Sequence, residues 1–148
     1  MASGEALLKQ ARLAADRAHC PYSEFHVGAA VLCADGSVVE GCNVENASYG
    51  LTICAERVAL FNAISQGKRP IELAVSCVDA QNDASRSSRM PCGACRQVMQ
   101  ELLPPDAAIH VDGVGRRSLQ ELLPEAFQLD LAQRCNALAG SAISPRSA

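Results

Sequence analysis

Apolar residues recur at helical spacing at the start of the chain. Leu7, Ala11, Ala14 and Ala18 share one side of residues 4–18, while Lys9, Arg12, Asp16 and Arg17 lie mostly on other faces. Pro21 ends that region. A continuous apolar run from Val27 to Cys33 then meets Ala34-Asp35-Gly36-Ser37 and a second run beginning at Val38. Asp-Gly between two such runs predicts a hairpin with strands at 27–33 and 37–44. Thr52 is a candidate N-cap for a helix from about Ile53 to Ser65, stopped by Gly67 and Pro70. A buried-looking strand follows over 71–78. The polar, turn-rich stretch 79–89 reads as a loop, and a helix from Cys92 or Gly93 must end before Pro104-Pro105. Residues 107–111 predict a short strand and 114–118 a weaker edge strand. Ser118 to Glu121 has the form of a capping box. A last short helix is expected at 130–138, with 140–148 as a loose tail.

Helices alternating with strands after a hairpin make an α/β arrangement. Right-handed crossovers would put the helices 53–65 and 93–103 on one face of the sheet. Their N-termini would then share one sheet edge, the usual location of a site in an open sheet.

The chain's 148 residues suit a single domain, here expected over 1–139. Its 49% apolar fraction is that of a globular protein. A net charge of -3, with no basic run longer than Arg116-Arg117, argues against a nucleic-acid polymer as partner. Arg86 and Arg89, in a Ser-rich stretch, are the one small basic pair to note. There is no membrane-length apolar segment and no secretory h-region. Eight cysteines in that setting point to a reducing compartment, and the chain reads as soluble and cytoplasmic.

Two of the cysteine groups carry chemistry: Cys54-Ala55-Glu56, and 38 positions later Pro91-Cys92-Gly93-Ala94-Cys95. Cys92 and Cys95 are three apart, so their sulfurs share a face at a helix start. Cys54 comes from the other helix. Three thiolates are one short of a closed structural zinc site, and a catalytic zinc keeps its fourth position open. Helix N-termini favour the thiolate form. Arg57 is either a donor to a thiolate or an exposed helix residue. Glu56 points about 200° away from Cys54 on a regular helix, so it is not a co-ligand. It reads as a carboxylate reaching over the helix end to handle a proton of the water. A closed structural site would need one more ligand, with His26, His110 and Cys42 as candidates.

This pattern resembles the zinc deaminase signature, Cys-x-Glu followed by Pro-Cys-x-x-Cys. With cysteine as first ligand, the chain is similar to the small homotetrameric cytidine deaminases. The likeness spans about residues 5–130 and includes Phe25-His26-Val27-Gly28-Ala29-Ala30, Gly41-Cys42-Asn43-Val44-Glu45-Asn46-Ala47-Ser48-Tyr49, Thr52 to Arg57, and Met90 to Gln97. The resemblance implies a three-layer α/β/α fold with a mixed sheet of about five strands. It further implies a zinc ion on Cys54, Cys92 and Cys95, with Glu56 as acid and base. Asn43 and Glu45 would hold the ribose hydroxyls, Phe25 would pack on the pyrimidine, and the Ala55 backbone would meet the base. The plainer alternatives are polar turn residues for Asn43 and Glu45 and a core residue for Phe25. Ala47, Tyr49 and Phe127 match positions that reach into a neighbouring subunit's site.

The implied reaction is hydrolytic deamination of cytidine and 2′-deoxycytidine, in pyrimidine salvage. Competing readings are a deaminase for a nucleoside antibiotic, polynucleotide editing, and a structural zinc module. Two departures from the family pattern stand out. The loop before Met90 is long, and the connection at Gly113-Val114-Gly115 is short, which questions the last strand.

Overall fold

The computed structural model describes residues 3–129, so the helix expected at 130–138, the tail and the domain boundary at 139 lie outside the described residues. Helix α1 spans Gly4–Ala15 and is capped by the Ser3 hydroxyl, which accepts from the Ala6 amide. It ends three residues earlier than its apolar spacing predicts. Asp16, Arg17 and Ala18 turn back onto the carbonyls three residues before them, and His19 then bridges to Val44.

Strands β1 (Val27–Cys33) and β2 (Val38–Cys42) form the expected hairpin, with Gly36 at φ +83° in its turn. β2 stops at Cys42 rather than 44 because the Asn43 side chain leaves the ladder to bind the start of β1. Helix α2 (Ala55–Ser65), β3 (Pro70–Cys77), α3 (Gly93–Leu102), β4 (Ala108–Val111), β5 (Gly115–Ser118) and α4 (Leu119–Leu122) complete the order. The sheet runs β2-β1-β3-β4-β5, with β3 and β4 parallel and the other neighbours antiparallel. The last strand does form. Gly113 and Gly115, at φ +74° and +107°, make the short connection possible. The capping box at Ser118 and Glu121 is present with both of its bonds.

β1 is an interior strand, between β2 and β3, with both faces buried. Ala29, Val31 and Cys33 pack with α2, α3 and α4, while Ala30 and Leu32 pack under Leu7 and Ala11 of α1. The arrangement is therefore three layers, with α1 alone on one face among the described residues. No helix among the described residues is long and apolar enough to cross a membrane.

Two glycines set how close the helices come. A Cβ on Gly41 of β2 would lie 2.7 Å from the Ala55 carbonyl oxygen and run into the Ala59 amide of α2. One on Gly28 of β1 would overlap the backbone of Ala11 and Ala15 in α1. On α2, Ala55, Ala59 and Ala63 make the matching buried stripe. This contact fixes the height of the α2 N-terminus above the sheet. Gly41→Ala is expected to cost about 1–3 kcal/mol through overpacking and to lower Tm by several degrees in calorimetry. Gly50→Ala, with nothing within 4 Å, serves as the neutral control.

Candidate active site

Both cysteine clusters lie at helix entries. Thr52 is not the N-cap of α2. Its hydroxyl instead accepts from the Asn46 amide, and Ile53 is held extended by a two-bond bridge to Val44. The helix therefore starts at Ala55, and Cys54 takes the N-cap position with φ -70° and ψ 153°. Cys92 occupies the same position on α3, at φ -68° and ψ 166°. Cysteine does not cap either helix with a side-chain hydrogen bond. The first-turn amides and the positive helix ends are thus left beside the sulfurs. Because β2 and β3 run the same way, the two N-termini meet at one sheet edge.

The Cys54 and Cys92 sulfurs are 3.7 Å apart, those of Cys92 and Cys95 3.5 Å, and all three lie within 4.8 Å of one another. Cys95 is buried, Cys54 half-buried and Cys92 exposed. Among the described residues no fourth ligand joins them. The candidates for closing the shell are engaged elsewhere: His26 on Asp79, His110 on Glu72, and Cys42 on the Arg17 carbonyl.

The donor set fits a zinc ion with an open position. The Cys54 thiol is lowered to about 5, chiefly by hydrogen bonding from Cys95 and then from Arg57 and Cys92. Cys95 is pushed up by its bond to Cys54 and by burial. Three sulfurs this close need a cation to be thiolates together. Arg57 is a donor to a thiolate, with Nη2 3.5 Å from the Cys54 sulfur. Its buried Nε has no partner among the described residues, which leaves one N–H donor unused beside the sulfurs.

A cavity of about 210 Å³ opens beside the sulfurs. Phe25, Asn43, Cys54, Ala55, Glu56 and Cys92 all line it. Glu56 is 4% exposed, and burial, ahead of the nearby Cys54, raises its carboxyl to about 7. Asn43 is 8% exposed. Its Oδ1 accepts from the Val27 amide at 2.9 Å, and its Nδ2 donates to the Phe25 carbonyl at 2.8 Å. Asp79 pins the same segment from outside. One of its oxygens accepts the His26 amide at 2.6 Å and the ring Nδ1 at 2.7 Å.

Other sequence candidates lie off this cavity. Glu45 faces an adjoining depression with Tyr22, Ser23 and Tyr49, and the two hollows share Thr52. Its Oε1 accepts the amides of Tyr22 and Ser23, and hydrogen bonding from Ser23 keeps its carboxyl below the usual range. Ala47 is exposed, Tyr49 is 76% exposed and Phe127 71%, and none of them lines the cavity.

Sequence reasoning missed Cys77, Ser88 and Arg89 in the cavity wall. Cys77 ends a strand that reads as core; burial, with Glu56 next, pushes its thiol to about 11. Ser88 and Arg89 lie in the Ser-rich stretch that holds the small basic pair, and it carries a short 3-10 turn at Arg86–Arg89. Their adjacency to Met90-Pro91-Cys92 was the available signal.

Residues 1–110 match the family model for the cytidine and deoxycytidylate deaminase zinc-binding region. A cytidine deaminase of Halalkalibacterium halodurans is 47% identical over 125 residues, which cover 82% of this chain and 91% of the relative. The crystal structure of cytidine deaminase from Mycobacterium tuberculosis matches with a TM-score of 0.73 at 44% identity, covering 84% of this chain and 97% of that one. A blasticidin-S deaminase from Bacillus cereus is similar at 29% identity over 108 residues, covering 69% and 76%. Sequence, fold and relatives agree, and the chain belongs to the cytidine and deoxycytidylate deaminase family, whose shared region binds zinc.

Proposed function

We propose that this protein hydrolyses cytidine and 2′-deoxycytidine to the uracil nucleosides and ammonia, as a step of pyrimidine salvage. The observation that carries the reading is a buried carboxylate, Glu56, in one cavity with a three-cysteine cluster that has no fourth ligand among the described residues. Cys54, Cys92 and Cys95 hold the zinc, which supplies the Lewis acidity that makes water nucleophilic near neutral pH.

Glu56 takes the proton of the attacking water and delivers a proton to N3 of the base as the C4–O bond forms. The carboxylate then takes the proton of the new C4 hydroxyl and passes it to the amine, so that the C–N bond breaks, ammonia departs and C4 becomes a carbonyl. A carboxyl raised to about 7 suits both directions of transfer. Arg57 positions the Cys54 sulfur. Phe25 offers a face to the pyrimidine, and the Ala55 backbone meets the base. Asn43 keeps one amide hydrogen for the ribose beyond its bond to Phe25, and Glu45 keeps Oε2.

The cavity of about 210 Å³ is smaller than the usual ligand site of about 300–1,000 Å³. That supports completion by neighbouring subunits in a homotetramer, with Ala47, Tyr49 and Phe127 reaching across. The exposed Phe61 and Ile64 of α2, with Leu51 and Tyr49, are apolar surface suited to such contacts. A cytoplasmic location fits the free thiols.

The test is ultraviolet turnover of cytidine with and without a zinc chelator. Loss of absorbance that stops with chelation and returns with zinc is expected; inertness of the zinc-loaded protein toward cytidine would overturn the reading. A parallel assay with blasticidin S separates the antibiotic alternative, which predicts the faster turnover there. Sedimentation should give a tetramer.

The Asp79 clamp adds a pH signature. The Asp79 bond raises the His26 imidazole above its usual 6.5, so its contribution is complete below 6.5 and fades as pH rises through the raised value. The His26 amide and ring lower Asp79, so that contribution is present above its ordinary 3.8 and is lost as pH falls through the lowered value. Asp79→Asn is expected to raise KM for cytidine most at pH 6 and less at pH 9, where the ionic part of the clamp has faded and the His26 amide bond remains.

A further inference from the structure

The polar stretch 79–89 also walls a second cavity of about 610 Å³. It opens past the C-terminal ends of β3 and β4, between Ser76 and Cys77 on one side and Asp112 and Gly113 on the other. Three guanidinium groups line it, Arg12, Arg86 and Arg89, against one carboxylate, Asp112.

That carboxylate is fully engaged. Its Oδ1 accepts from Arg12 Nη2 at 2.7 Å, and its Oδ2 accepts from Arg12 Nε at 2.8 Å and Ser76 Oγ at 2.7 Å. Arg12 is neutralised by this fork, and its Nη1 also reaches Glu5. Arg86 and Arg89 have no ion-pair partner among the described residues.

Arg89 is nonetheless fixed in place. Its Nη2 donates to the carbonyls of Ala80 at 3.2 Å and Gln81 at 2.6 Å. Its guanidinium lies against Gly113, where a Cβ would stand 3.0 Å from Nη1. Neutral acceptors thus position this cation without cancelling its charge. Arg89 and Cys77 also line the catalytic cavity, so the two hollows share a wall.

We propose that the second cavity binds a phosphate-type oxyanion through Arg86 and Arg89, and that occupancy alters the substrate pocket through the shared Arg89. A dianionic phosphate matches two uncompensated guanidinium groups, whose planar forks suit paired oxygen acceptors. The Asn82 amide adds a further donor at the rim. The site shares only Cys77 and Arg89 with the catalytic cavity, and its binding can be read without turnover.

The test titrates inorganic phosphate into the zinc-loaded protein in chloride buffer, followed by calorimetry. Saturable binding is expected. Arg86→Gln should weaken it about tenfold, the loss of one charge-assisted contact, while cytidine turnover in phosphate-free buffer stays at the wild-type level. Arg89→Gln should abolish it and shift KM for cytidine, and phosphate should change KM in wild type but not in this variant. Unsaturable binding, or equal binding by wild type and both variants, overturns the proposal. Cytidine 5′-monophosphate identifies the source of the anion. Competition with both phosphate and cytidine marks a nucleotide bridging the two hollows. Competition with phosphate alone marks free phosphate as the occupant.

Discussion

Glu56→Gln is expected to lower turnover of cytidine by about 10²–10⁴-fold, the usual worth of a positioned acid–base group, while zinc content stays at the wild-type level. Glutamine keeps the shape of a side chain that is 4% exposed, so packing is preserved. It cannot accept and return a proton. Stability provides an internal control. A carboxyl raised from 4.5 to about 7 by burial weakens the folded state once pH exceeds the ordinary value. The variant should therefore melt no lower than wild type at pH 8. A variant that retains near-normal turnover would remove Glu56 from the mechanism.

The second large effect is expected from Cys92→Ala. Cys92 is exposed, so alanine leaves the core intact, and any lost stability reports on the metal rather than on packing. A ligand at a thousandfold excess over its Kd stabilises by about 4 kcal/mol, which corresponds to a Tm shift on the order of 10 °C. Cys92→Ala should lose zinc by elemental analysis, lose activity, and melt lower by an amount of that order. The gap should close when both proteins are stripped with chelator. A gap that persists without metal would mean the thiol stabilises the fold by itself.

The strands of the hairpin, the two helices that carry cysteine and the shared sheet edge were legible because each has a local cause. Asp35-Gly36 sets the turn, Pro70 and Pro104 bound the helices, and right-handed crossovers leave one placement for α2 and α3. The ligand set was legible for the same reason, since spacing alone puts Cys92 and Cys95 together. The start of α2 was not. Thr52 has the chemistry of a cap, but Ile53 is held extended by Val44, a partner set by tertiary structure. Asn43 reads as a ribose-binding residue or, failing that, a turn residue, yet its side chain also fastens Phe25 and Val27 across the sheet edge. The role of Arg89 in two cavity walls depends on how a loop folds back onto Gly113, which no local pattern encodes.

The position of β1 has a consequence for biosynthesis. It is the first of these five strands to leave the ribosome, yet it becomes an interior strand of the sheet, flanked by β2 and by β3 some forty residues later. Until residues 70–77 emerge, a nascent chain holds an apolar strand with one bare hydrogen-bonding edge, the kind of surface that chaperones shield. Metal capture comes later still, because two of the three sulfurs are translated after that gap is filled.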